Sequence, residues 1–162
     1  KPLHDDQALF ELLCLETYQA GLSWETILNK RASFNQAFYD YDVAKVAQMS
    51  DDELEVLLQN PAIVRNRRKI YATRTNAKAF IKIQKEFGSF DEYLWRWGGY
   101  APIVNKVEDY ANFPASTPLS ENLSKDLKKR GFKFVGPVCV YSFLQAAGLV
   151  NDHEVDCDFK SI

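Results

Sequence analysis

No apolar run in this 162-residue chain approaches the ~18 residues that a membrane-spanning helix needs, which excludes a helical bilayer span. No signal peptide is legible either. Cysteine is scarce. Cys14, Cys139 and Cys157 are odd in number and irregular in spacing, which excludes a disulfide scaffold and points to a reducing cytoplasm. An excess of positive charge is also missing: the net charge is -2 and the pI about 5.7. Binding to a polyanion would therefore require basic residues gathered locally. Internal repeats, low-complexity segments and strand alternation of convincing length are absent. The chain opens on Lys1 without a methionine, so a further N-terminal piece is expected ahead of it.

Hydrophobic residues make up 46% of the chain and aromatics 14%, enough for a globular core rather than disorder. At this length roughly 70% of the unfolded surface can be buried, so residues 1–162 read as one domain with room for two helical lobes. The periodicity is helical almost throughout, and the fold class is all-α. Asp5 or Asp6 can cap a helix through Leu9, Leu12, Leu13 and Glu16, which Ala20-Gly21 ends. Ser23 can cap the next, with Ile27, Leu28, Phe34 and Phe38 turned inward. Capping boxes at Ser50–Glu53 and Ser89–Glu92 open two more helices. Asn66 to Phe87 reads as a longer one. Residues 98 to 118 hold three of the six prolines and read as a loop or lobe crossover. Leu119 to Arg130 is helical with Gly131 at its C′ position, and Pro137 to Ala147 is the last helix.

The basic residues cluster. Arg65-Asn66-Arg67-Arg68-Lys69 is one run; Lys125, Lys128, Lys129, Arg130 and Lys133 form another. A charge run is usually a solvated helix face, and that reading suffices for the first. The second feeds a glycine-bearing turn and the helix start at Gly136-Pro137, where unpaired N–H groups and the helix dipole make an anion site.

Three strings carry a resemblance: LETYQAGLSW (Leu15–Trp24), LSKDLKKRGFKFVGP (Leu123–Pro137) and AAGLVNDH (Ala146–His153). Together they resemble the 3-methyladenine DNA glycosylase I family of the helix-hairpin-helix superfamily, over essentially the whole chain. The resemblance implies a compact helical bundle with a DNA-binding hairpin. It also implies a bacterial base-excision-repair hydrolase for alkylation damage, expected to be monomeric, cytoplasmic and nucleoid-associated when acting. Such an enzyme releases N3-methyladenine from duplex DNA after flipping the nucleotide, because its glycosidic bond is out of reach inside the stack. It implies that the backbone around Gly136 and Val138 holds a DNA phosphate with help from Lys133 and Arg130, a contact that positions without reading sequence. It makes Leu22 the wedge that fills the gap, with Gly21 permitting close approach. The alternative is a helix-hairpin-helix module that holds DNA without cleaving it.

The chain departs from the superfamily in three places. Phe134 stands where the hairpin's first glycine normally sits. Val138 stands where bifunctional members carry a Schiff-base lysine, so no lyase step is expected. Asn151, in Val150-Asn151-Asp152-His153, stands where most members carry a catalytic aspartate. The substrate tolerates the last change: N3-methyladenine is cationic, its glycosidic bond is already weak, and the pocket must chiefly prefer a cation. By resemblance Glu16 is the catalytic carboxylate that contacts the base, and Trp24 lines the pocket. An indole face attracts a cationic ring by roughly 0.5–2 kcal/mol. Taken alone, Glu16 would be read as a surface helix residue and Trp24 as a core anchor; the motif decides otherwise. Cys14 and Cys139 read as core, not as nucleophiles.

His153 and Cys157, spaced H-x₃-C, can share a zinc ion. By resemblance this is half of a structural site whose other two ligands, a cysteine and a histidine, lie near the N-terminus. His4 does not stand in the right context to replace them. A preceding segment of about 20 residues is expected to supply them, and residues 1–162 alone should hold zinc weakly or not at all.

Overall fold

The computed structural model describes residues 4–19, 23–63, 66–97, 103–104, 118–148 and 150–151; the side chains of Trp24 and of residues 103–104 and 150–151 are not described. The described residues form α1 (Asp6–Gln19), α2 (Trp24–Asn29), α3 (Arg31–Ala37), α4 (Val43–Ala47), α5 (Asp51–Leu57), α6 (Arg67–Phe87), α7 (Phe90–Trp97), α8 (Pro118–Lys129) and α9 (Pro137–Ala147). The only strand pairing among them is two residues long and parallel, Ile103 with Val150 and Val104 with Asn151. The all-α expectation therefore stands. Of the proline-rich crossover, residues 98–102 and 105–117 lie outside the described residues.

Local hydrogen bonds start the helices where the sequence placed the starts. Asp5 accepts from the Ala8 N–H at 2.9 Å, Ser23 from Thr26 at 3.1 Å and Asn66 from Lys69 at 3.2 Å. Ser50 and Glu53 close a full capping box, satisfying two donors that a bare helix end would leave unpaired. Asp6 does something the sequence did not suggest. Its carboxylate accepts the N–H groups of Phe90 and Asp91 and the Gln84 amide, each at 2.9 Å. It thereby caps α7 from more than eighty residues away, alongside Ser89, which accepts from Glu92.

The expected helix after Ser23 is two helices, broken at Lys30, where φ is -99° and ψ is 0°. Ile27, Phe34 and Phe38 are buried as expected, but Leu28 is 46% exposed. Successive helical residues point ~100° apart, and a helix as short as α2 buries a stripe too narrow for both Ile27 and Leu28.

The core is aromatic. Phe10 meets Tyr41 and Phe80 edge-on, Tyr18 stacks on Phe34, and Phe80 stacks on Phe90 at 4.2 Å. α1 packs on α6 and on α9, and α8 also packs on α9, so α9 is held between α1 and α8.

Candidate active site and nucleic-acid interface

The hairpin between α8 and α9 is fixed at both ends. α8 closes in a Schellman motif: Phe132 N–H reaches the Leu127 carbonyl and Gly131 N–H that of Lys128, both at 3.0 Å. Gly131 sits at φ +102°, a conformation that explains why glycine occupies the C′ position. Phe134 lies at φ +61°. The departure noted in the sequence is thus a phenylalanine doing a glycine's conformational work, at a cost of order 1–2 kcal/mol that surrounding contacts must offset. Those contacts are explicit. The Asn76 side chain, from α6, accepts the Lys133 N–H at 2.8 Å and donates to the Lys133 carbonyl at 3.2 Å. The Ser124 hydroxyl, from α8, donates to the Val135 carbonyl at 2.6 Å. Asn76 and Ser124 are each about 1% exposed. Neither was singled out in the sequence, where polar residues on amphipathic helices look like any others.

Gly136 caps α9 in an extended conformation and offers no side chain to its first turn. Pro137 has no N–H, so the amides of Val138 and Cys139 are left open at the helix start. A Cβ built on Gly136 meets nothing within 4 Å. The space beside Gly136 at the helix start is open, and Val138 is 58% exposed there. This is the geometry of an anion cradle. Lys133 stands exposed at the same turn.

Arg130 is placed differently from the other expected phosphate ligands. Its guanidinium donates to Asp126 at 2.7 Å and to Glu86 at 3.2 Å, and it lies over the rings of Phe87 and Tyr93. It braces α8 against α6 and α7 rather than standing free at the turn.

Glu16 is not a surface residue: only 6% of it is exposed. It lies on the third turn of α1, against α9, near enough to Cys139 for its charge to act on that thiol. Burial raises the Glu16 carboxyl to about 7, and among the described residues no hydrogen bond to it compensates the desolvation. Cys139, pushed up to about 12 by burial and then by Glu16, stays a neutral thiol. Lys69, from the first turn of α6, donates to the Tyr18 carbonyl at 3.3 Å, and burial lowers its ammonium. A buried carboxylate without a protein partner is costly and needs a cationic or hydrogen-bond-donating guest to settle it.

Trp24 opens α2, immediately after its cap Ser23; its side chain is not described. Gly21, Leu22, His153 and Cys157 lie outside the described residues, and Asn151 is placed only through its backbone pairing with Val104. His4 is committed elsewhere, hydrogen-bonded to Asp91 at 2.8 Å and stacked on Trp95. Among the described residues no cluster of three or more metal-ligating side chains occurs, and no helix is long and apolar enough to cross a membrane.

Residues 1–161 match the family model described as methyladenine glycosylase. The chain belongs to the methyladenine glycosylase family. It is 44% identical over 161 residues to the DNA-3-methyladenine glycosylase of Haemophilus influenzae, covering 99% of this chain and 87% of that one. It is 45% identical over 156 residues to DNA-3-methyladenine glycosylase 1 of Escherichia coli, covering 96% and 83%. Its fold superposes with a TM-score of 0.95, at 44% identity and 99% and 86% coverage, on a point mutant of 3-methyladenine DNA glycosylase I solved in complex with 3-methyladenine. The helix-hairpin-helix resemblance read from the three sequence strings is thus borne out at the level of family and fold.

Proposed function

We propose that this protein is a monofunctional DNA glycosylase of base excision repair. It flips N3-methyladenine out of duplex DNA, hydrolyses its N-glycosidic bond and leaves an abasic site. The observation that carries the reading is Glu16, a carboxylate buried beside the start of the DNA-facing helix with no partner among the described residues. A cationic methylated adenine supplies what Glu16 lacks: positive charge and an exocyclic amine that donates a hydrogen bond. Neutral adenine supplies only the second, so burial of the carboxylate favours the damaged base. The cationic base is also its own leaving group. A water molecule takes the sugar carbon as the bond to the base breaks and gives up a proton to solvent, and the base departs neutral.

The hairpin's role is separate from this chemistry. Gly136 and the amides of Val138 and Cys139 receive a backbone phosphate, with Lys133 beside it, and Leu22 with Gly21 fills the space that the flipped base vacates. Trp24 lines the base pocket by resemblance. Val138 offers no amine, so borohydride should trap no covalent protein–DNA adduct. Zinc belongs to the proposal as a structural ion only: His153 and Cys157 would be two of its four ligands, and release of a cationic base needs no Lewis acid. The protein acts as a monomer on the DNA of the bacterial cytoplasm.

Incubation with a duplex carrying N3-methyladenine should release the free base, and Glu16→Gln and Trp24→Ala should each lower release far more than duplex binding. Duplex binding without any base release would leave a non-catalytic DNA-binding module in place of the enzyme.

A further inference from the structure

The basic run at residues 65–69 reads in the sequence as a solvated helix face, and the hairpin's function does not absorb it. The tertiary structure brings its end to the hairpin. The Arg68 guanidinium carbon lies 5.9 Å from the centroid of the Phe134 ring, and the Lys69 ammonium 6.0 Å from the same ring. Arg68, Tyr71, Ala72, Thr75, Lys133 and Phe134 line a cleft of about 420 Å³ between α6 and the turn. Among the described residues no carboxylate lines it. Two cations and two aromatic rings do.

Arg68 stands apart from the other arginines. Arg31 pairs with Glu11, Arg67 with Glu55, Arg74 with Asp51, Arg96 with Glu92, and Arg130 with Asp126 and Glu86. Among the described residues Arg68 is the one arginine without a carboxylate, and it is exposed. Its contact is the Phe134 ring, which orients a guanidinium without neutralising it. Phe134 in turn is fixed by its left-handed backbone and by the Asn76 clamp one residue earlier. A planar cation, held in place and left unpaired beside Lys133, suits a phosphodiester: the fork of N–H donors matches two phosphate oxygens.

We propose that the Arg68–Lys133 cleft is a second DNA-backbone site, contiguous with the hairpin and taking the phosphodiester next to the one held at Gly136. The proposal rests on the reading of the hairpin as the duplex anchor. It gives α6 a part in the interface and makes Phe134 the pivot on which Arg68 turns toward the strand. The contact carries no information about sequence or damage.

The test measures the affinity of the full chain for an unmodified duplex, by fluorescence anisotropy, across a range of salt. Arg68→Ala should lower affinity about three- to tenfold and reduce the salt slope by ~1, whereas Arg68→Lys, keeping the charge, should keep the slope. Binding of free 3-methyladenine, followed by intrinsic fluorescence, should be unchanged in both variants. An Arg68→Ala variant with wild-type affinity and slope, while Gly136→Val binds more weakly, overturns the cleft and leaves the hairpin anchor standing. Loss of free-base binding in Arg68→Ala would likewise overturn it, by placing Arg68 at the base pocket. Absence of duplex binding by the unaltered chain would overturn the anchor and the cleft with it.

Discussion

Asn76 holds both polar groups of one residue, Lys133, accepting its N–H at 2.8 Å and donating to its carbonyl at 3.2 Å. The pair spans 57 positions of sequence and joins the middle of α6 to the turn ahead of α9. Replacing Asn76 with alanine leaves a donor and an acceptor at the turn without partners, at a cost of roughly 1–3 kcal/mol. We predict that Asn76→Ala lowers stability by that amount in urea melts. It should also weaken binding to methylated and unmodified duplex alike, because the hairpin loses its fixed shape. Full duplex affinity in a destabilised variant would separate the clamp from DNA binding.

Glu16 supplies a prediction with a sign. Its carboxyl is raised by burial from 4.5 to about 7, so the folded state holds the proton more tightly than the unfolded state does. Stability therefore falls as pH rises from about 4.5 through 7, and the penalty is complete above that. Glu16→Gln removes it. The variant should be more stable than the parent near pH 8, by on the order of 1–3 kcal/mol, and the gap should close toward pH 4.5. Excision should run the other way: in the parent it should rise through about pH 7 as the carboxylate ionises, and in the variant it should be low without that limb. Thermal melts at several pH values beside a base-release profile decide both. Equal stability of the two proteins at pH 8 would mean that the carboxylate is not desolvated.

Gly136 separates binding from folding. A Cβ there meets nothing within 4 Å and the backbone is extended, not left-handed. Gly136→Val should fold with a stability loss of no more than about 1 kcal/mol, yet bind duplex weakly, since its side chain occupies the space before the open amides. A variant that binds like the parent would place the phosphate elsewhere.

Zinc is checked by metal analysis. A protein carrying all four ligands should purify with one equivalent, and a structural site of that kind is worth on the order of 10 kcal/mol of apparent binding energy. His153→Ala should then lower the melting temperature more than it lowers base release. Metal-free protein with an unshifted melt would make the H-x₃-C pair a bystander.

The sequence alone determined what depends on neighbours three or four residues apart. The Ser50 capping box, the Asn66 and Ser23 caps, the Schellman end at Gly131 and the span Pro137–Ala147 are each settled by bonds within one or two turns. Motif strings such as QAGLSW and KRGFKFVG carried the family, because they are specific whatever the fold around them. Only the tertiary structure decided where those helices meet. It buried Glu16, which on its own helix is one more polar residue, and it left Leu28 exposed. It turned Asp6 into a cap for α7, tied Arg130 to Asp126 and Glu86, and brought Arg68 to Phe134 across more than sixty residues. The physical reason is common to all five. Burial and pairing of a charge are properties of the surfaces that come together, and local pattern does not encode which surfaces those are.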